Sequence, residues 1–141
     1  MIKKYPKFKD IKQVFDELLA KNKEAYVDYK KPSIEDGINI IKKANGLPIL
    51  AHPEVYLKKA EKIIEKFAGL GGKGIEIDYP YDKIYSLNMQ IINEFKILAE
   101  KFNLIQTGGS DFHGKSRNSF LGDAGLNEDE FNKLLDVIQS R

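Results

Sequence analysis

The sequence contains no cysteine and no tryptophan, and only two of its 141 residues are histidine. The lack of cysteine excludes disulfide bonds and thiolate metal sites. No apolar run reaches the roughly 18 residues that a membrane-spanning helix needs, and residues 1–10 lack the apolar core of a secretory signal. With 23 basic and 21 acidic residues, the charge gives no indication of a nucleic-acid interface. We expect a soluble cytoplasmic protein.

Two segments of different pattern make up the chain. The first carries apolar residues at three- and four-residue spacing, which predicts one helical stripe formed by Ile11, Val14, Phe15, Leu18 and Leu19. Pro32 marks the boundary, because proline disfavours helical backbone at the residue before it. We therefore predict a small helical segment at 1–32 and a second region at 33–141.

The second region alternates between short apolar runs and longer amphipathic stretches. The short runs predict three buried strands at 47–51, 74–79 and 104–107. Helices are predicted between them at 57–70 and 84–102. Alternation of strand and helix is typical of a parallel sheet with right-handed crossovers, so the predicted fold class is α/β. Because three parallel strands leave two edges open, we expect a partial (β/α) barrel.

Two further helices are predicted from their first turns. Ser33 with Asp36, and Asn127 with Glu130, have the spacing of a capping box, in which each side chain accepts a hydrogen bond from the other residue's backbone. One helix is therefore expected to begin after Ser33, and the last helix of the chain after Asn127.

Both histidines follow a predicted strand closely. His52 comes after the first strand, and Asp111 and His113 follow the third, behind a pair of glycines. The carboxyl ends of parallel strands share one edge, so the three groups are expected on the same rim. At a spacing of two in extended backbone, the side chains of Asp111 and His113 would point the same way. Carboxylate and imidazole together suit Zn, Mn or Fe, and a turn with an exposed His113 is the alternative.

The backbone of His52 is expected to be extended, because Pro53 follows it. A histidine satisfied within the core is the alternative to a metal ligand. Glu76 and Asp78 approach the end of the second strand and are candidates for orienting an imidazole, unless they are surface acids in ion pairs.

Lys115 and Arg117 follow the Asp-Phe-His sequence and are candidates for binding phosphate. Lysine would act as a point charge and arginine as a two-pronged donor. An ordinary basic loop is the alternative reading.

Four motifs occur in a fixed order and together resemble a known family. They are Glu-Ala-Tyr-Val-Asp-Tyr-Lys-Lys at 24–31, Gly-Leu-Pro-Ile-Leu-Ala-His-Pro at 46–53, Gly-Ile-Glu-Ile-Asp-Tyr-Pro-Tyr at 74–81 and Thr-Gly-Gly-Ser-Asp-Phe-His-Gly at 107–114. This set resembles the C-terminal half of the PHP (polymerase and histidinol phosphatase) metal-dependent phosphoesterases. The most similar branch is that of the stand-alone enzymes acting on small nucleotides and the 5′ ends of short RNAs.

The resemblance implies a distorted (β/α) barrel with divalent metals of the Mn, Fe, Zn or Mg kind at its carboxyl end. It implies that His52, Asp111 and His113 are metal ligands, that residues 1–32 are an insert or cap, and that metal-bound hydroxide attacks phosphorus. It also implies an early His-x-His and further ligands that have no counterpart in this sequence. We therefore expect the chain to be inactive without the N-terminal half as a partner.

A second hypothesis is a non-catalytic α/β module. Its open sheet edges would pair with a partner chain or with a second copy of the protein.

Overall fold

A computed structural model describes residues 7–85, 89–114 and 118–140. For Leu57 it describes only the backbone. The chain divides into two compact units, Met1–Lys31 and Pro32–Arg141. Within the described ranges, no helix has both the length and the apolar character needed to cross a membrane.

The first unit contains a short helix that changes its winding. Helix α1 spans Ile11–Val14 and begins at Asp10, whose carboxylate accepts a hydrogen bond from the Gln13 backbone at 2.7 Å. A π-helical segment, Phe15–Leu19, follows directly. Its wider turn moves successive side chains off the line of an α-helix, so the prediction of a single continuous stripe is wrong. Val14 is buried, whereas Ile11, Phe15 and Leu19 are exposed.

The second unit is built around a parallel sheet of three strands. They are β1 (Ile49–Leu50), β2 (Gly74–Asp78) and β3 (Ile105–Gly108), in the order β1-β2-β3. Ile49 is opposite Gly74, and Gly74 is opposite Ile105. A register irregularity between Glu76 and Asp78 precedes the pairing of Asp78 with Gly108. The predicted α/β class with three parallel strands is confirmed.

Helices flank this sheet. Their bounds are α2, Ile34–Lys43; α3, Ala60–Gly69; α4, Tyr81–Tyr85; α5, Gln90–Lys101; and α6, Glu128–Gln139. Both predicted capping boxes are confirmed, because Ser33 and Asn127 each exchange hydrogen bonds with the acidic residue three positions later.

Two predicted helices differ in detail from those observed. A 3₁₀-helix, Pro53–Lys59, occupies the start of the stretch predicted as helix at 57–70. Its tighter winding begins with the Val55 backbone N–H donating to the His52 carbonyl at 3.3 Å, a three-residue spacing. The predicted helix at 84–102 corresponds to α4 and α5, and residues 86–88 between them lie outside the described ranges.

The core lies between β2 and the helices packed against the sheet. Ile75 and Ile77 on β2 are fully buried, as are Ile64 on α3 and Ala99 on α5. Side chains alternate across a strand, so Glu76 and Asp78 lie on the opposite face, where they are half-buried. The end of β2, and the residues directly after it, therefore lie against the buried core of the unit.

Candidate functional site

The candidate residues leave the sheet at a single edge. His52 lies two residues after β1, Tyr79 directly after β2, and Asp111 three residues after β3. Because the three strands are parallel, these positions are all at the carboxyl end of the sheet.

His52 is held in an unusual backbone conformation. Its φ is +25°, in the left-handed region, so the prediction of an extended backbone at this position is wrong. The Glu76 carboxylate accepts a hydrogen bond from the His52 backbone N–H at 2.8 Å and anchors the turn into the 3₁₀-helix. The ring nitrogen Nδ1 of His52 is buried and has no hydrogen-bond partner among the described residues. A buried ring nitrogen of this kind is a chemically suitable ligand atom for a metal.

Glu76 and Asp78 have different roles at the end of β2. Burial raises the pKa of Glu76, and the hydrogen bond from the His52 backbone opposes that rise. Glu76 therefore contacts the main chain of His52, and the predicted role of orienting an imidazole is replaced by anchoring a backbone turn. Burial also raises the pKa of Asp78. Asp78 lies 4.0 Å from the ammonium of Lys96, which in turn contacts Glu130 at 3.0 Å.

Asp111 and His113 contact each other through a turn. The φ of Asp111 is +46°, so the prediction that extended backbone aligns the two side chains is wrong. The His113 Nδ1 atom lies 3.2 Å from the Asp111 carboxylate and 2.7 Å from the Asp111 carbonyl oxygen. Ser119, which is buried, donates its hydroxyl to the same carbonyl at 3.3 Å. The pairing of carboxylate with imidazole is therefore present, but a compact turn produces it.

Tyr79 joins the two halves of the site, and the sequence analysis missed it. Its ring lies 5.4 Å from the ring of His52, and its hydroxyl donates to the Asp111 carboxylate at 2.9 Å. Burial and the hydrogen bond to Asp111 raise the pKa of Tyr79 far above its usual value, so the phenol keeps its proton. The sequence did contain a signal for this role, because Tyr79 directly follows the strand that lies between the two strands leading to His52 and Asp111. A tyrosine at the end of an apolar strand is equally typical of core packing.

The donor atoms are of the types that bind a divalent metal, but those described are too few for a complete site. His52 offers a buried imidazole nitrogen, and Asp111 with His113 offers a mixed carboxylate and imidazole pair. Within the ranges that the structure describes, no group of three histidine, aspartate or glutamate side chains is close enough to hold an ion. The described part of the chain therefore presents an incomplete ligand set. The predicted phosphate-binding residues, Lys115 and Arg117, lie outside the described residues.

Comparisons with known proteins bear on this arrangement. No family model matches the chain. A 3′,5′-nucleoside bisphosphate phosphatase from Chromobacterium violaceum is 32% identical over 124 residues, which are 86% of this chain and 41% of that protein. A 5′-3′ exoribonuclease from Haemophilus influenzae is 33% identical over 105 residues, covering 72% of this chain and 36% of the relative.

A solved structure shares the fold. A Bifidobacterium adolescentis protein named as a metal-dependent phosphoesterase superposes with a TM-score of 0.70 at 19% identity, covering 96% of this chain and 47% of that one. The chain is similar to part of these relatives, as its resemblance to the C-terminal half of the PHP-type phosphoesterases predicts. The predicted resemblance and the predicted partial PHP-type barrel are both confirmed. The chain spans less than half the length of the curated relatives it matches.

Proposed function

We propose that this chain forms the C-terminal part of a metal-dependent phosphoesterase that hydrolyses phosphate esters of nucleotides or of RNA 5′ ends. The relatives named as a nucleoside bisphosphate phosphatase and as a 5′-3′ exoribonuclease support this class of substrate. On its own the chain is expected to be inactive, because its described residues offer too few ligands for a stable metal site.

One observation carries the proposal. Tyr79 contacts both His52 and Asp111, so residues from the ends of β1 and β3 converge at the carboxyl edge of the sheet. His52 and Asp111 also share a left-handed backbone, with φ values of +25° and +46°. Such conformations cost energy and persist where the surrounding structure enforces them, which is typical of functional sites. The other non-glycine residues with positive φ among those described are asparagines, and asparagine, aspartate and histidine are the side chains that adopt it most often.

In the complete site, His52, Asp111 and His113 would hold divalent metal. When bound, such ions neutralise negative charge on phosphoryl oxygens and lower the pKa of water. A neutral imidazole that donates from Nδ1 carries its lone pair on Nε2. Because His113 Nδ1 contacts the Asp111 carbonyl oxygen, Nε2 of His113 would be its ligand atom. Asp111 and His113 would border the reacting phosphate, and Lys115 and Arg117 would bind it.

The experiment supplies the ligands that this chain lacks. Phosphate release from a nucleoside 3′,5′-bisphosphate with Mn²⁺ is measured for the chain, for a second polypeptide carrying the early His-x-His of PHP proteins, and for both together. We expect release only from the mixture, and loss of that release when the chain carries Asp111→Asn. Size-exclusion chromatography verifies that the two polypeptides associate, and an associated mixture without activity would contradict the proposal.

The same measurements test the alternative function. In the described residues, β1 and β3 each pair with β2 alone, so each has one side without a strand partner. A tight homodimer that takes up no metal, with or without the second polypeptide, would favour a non-catalytic interaction module. Under the main proposal, residues 1–32 act as an insert or cap segment of the phosphoesterase.

A further inference from the structure

Tyr79 is placed to control the geometry of Asp111. We propose that Tyr79 is a positioning residue, whose hydroxyl fixes the Asp111 carboxylate in the orientation required for metal binding. This inference rests on the proposed function, because it takes Asp111 as a ligand. It concerns the tyrosine that follows β2, a residue with no metal-ligating chemistry of its own in this site.

Asp111 needs external contacts to hold its position. It lies in the loop that follows β3 and begins with Gly109, and its φ of +46° is unfavourable for most side chains. Ser119 and His113 hold its carbonyl oxygen, at 3.3 and 2.7 Å. Those contacts fix the main chain of Asp111. Rotation of its side chain is restrained by contacts to the carboxylate oxygens.

The Tyr79 hydroxyl supplies that restraint. It donates to one carboxylate oxygen, Oδ2, at 2.9 Å, while the other oxygen, Oδ1, lies 3.2 Å from His113 Nδ1. Contacts on both oxygens define the plane of the carboxylate. Each oxygen of a carboxylate has more than one lone-pair site, so these contacts are compatible with binding a metal. Hydrogen bonds of this kind to ligand carboxylates orient them and tune metal affinity.

Tyr79 is itself rigidly held. Its side chain is fully buried and follows the central strand directly. Its ring packs against Tyr81 at 4.9 Å and stacks on Tyr85 at 6.0 Å between ring centroids. Tyr81 in turn contacts Phe95 of α5 at 6.1 Å. The position of the hydroxyl is therefore set by the hydrophobic core, and Tyr79 transmits that position to Asp111.

The chain offers a matched control for testing this role. Tyr81 is also fully buried and belongs to the same ring cluster, but its hydroxyl points to the Glu76 carbonyl oxygen at 3.5 Å. Tyr79→Phe and Tyr81→Phe each remove one hydroxyl and keep the ring. Only the first removes a hydrogen bond to Asp111.

The test measures the Mn²⁺ affinity of the chain mixed with the second polypeptide, which supplies the missing ligands. Only this chain is isotope-labelled, and because its sequence has two histidines, paramagnetic broadening of their imidazole signals in NMR is readily assigned. We expect Tyr79→Phe to weaken the affinity about 10- to 100-fold, the usual effect of removing a hydrogen bond that supports a ligand. Tyr81→Phe is expected to leave the affinity unchanged.

Each outcome decides the question. Unchanged affinity in Tyr79→Phe, or an equal loss in both tyrosine variants, would overturn the positioning role and leave the proposed function standing. Unchanged affinity in Asp111→Asn would overturn both, because the carboxylate would then not be a ligand. If Tyr79→Phe does not fold, Asp111→Asn in a chain with ¹³Cζ-labelled tyrosine gives the answer without metal. A shift of the Tyr79 signal with no shift of Tyr81 supports the proposal, and an unmoved Tyr79 signal overturns it.

Discussion

Gly108 and Asp78 approach so closely across the β2–β3 pair that a Cβ atom on Gly108 would lie 2.6 Å from the Cβ of Asp78 and 2.7 Å from its carbonyl oxygen. This close approach occurs at the last paired position of the sheet, just before the loop that carries Asp111. A side chain at residue 108 would therefore separate the two strands at the site.

Gly108→Ala is expected to lower the free energy of unfolding by about 1–3 kcal/mol, the usual cost of overpacking. Gly109→Ala is the matched control, because no atom lies within 4 Å of a Cβ built there. Urea denaturation of both variants measures the difference. Equal stability of the two variants would show that the β2–β3 spacing is less restricted than described.

Asp78 gives a prediction with a defined dependence on pH. Burial raises its pKa, an effect that Lys96 opposes and Glu130 reinforces, so the folded state holds this proton more tightly than the unfolded state. The charged form of Asp78 therefore lowers the stability of the fold at neutral pH. This loss disappears as pH falls through the raised folded pKa to the unfolded pKa, which is about 3.9 for an exposed aspartate. Asp78→Asn is expected to be more stable than the wild type at pH 7, with a difference that shrinks in acid.

Asp36 provides a control for that experiment, because its pKa is shifted in the opposite direction to that of Asp78. The hydrogen bonds from the Ser33 side chain and backbone lower the pKa of Asp36, so its charged form stabilises the fold. Asp36→Asn is expected to be less stable than the wild type at pH 7, and this deficit should disappear as pH falls from the unfolded pKa through the lower folded pKa. Thermal unfolding at several pH values measures both, and differences of the same sign would contradict the assignment.

Substitution of Ile77 tests whether β2 forms the centre of the hydrophobic core. Its side chain is fully buried on β2, so Ile77→Ala is expected to cost about 2–5 kcal/mol through the cavity that it leaves. Ile97 on α5 is 65% exposed, and Ile97→Ala should change stability by less than about 0.5 kcal/mol. The stretch 47–51 was predicted as a buried strand, but Ile49 is only partly buried on the edge strand β1, so Ile49→Ala is expected to cost less than Ile77→Ala.

Asp111→Asn separates binding from folding. Asparagine adopts positive φ readily, so this variant is expected to keep the free energy of unfolding within about 1 kcal/mol of the wild type while losing metal affinity. Equilibrium denaturation of the chain, and Mn²⁺ titration of its mixture with the second polypeptide, measure the two quantities. An unfolded variant whose remaining folded molecules bind metal as the wild type does would contradict the ligand assignment.

Local interactions made much of this fold predictable. The capping boxes at Ser33 and Asn127 involve residues three positions apart, and the strand at β2 is specified by its own apolar residues. Those signals require no knowledge of distant contacts. The parallel arrangement of the strands followed from their alternation with helices, and so did the shared edge on which the candidate ligands lie.

The details that depend on tertiary contacts were not predictable. The left-handed backbone of His52 depends on Glu76, a residue 24 positions away, and the orientation of Asp111 depends on Tyr79, 32 positions away. The π-helical winding after Val14 likewise left no mark on the apolar spacing that predicted a single helix. Sequence patterns indicated which residues meet at the rim but not which contacts hold them there.

The tyrosine cluster beside Asp111 has a practical consequence. Tyr79, Tyr81 and Tyr85 are three of the seven tyrosines, and the sequence has no tryptophan to dominate ultraviolet emission. Three of the seven tyrosines that can emit in the unlabelled protein therefore belong to the cluster next to the candidate ligands. A paramagnetic ion bound there would quench their emission, which gives an optical signal for ion uptake without any dye or engineered probe.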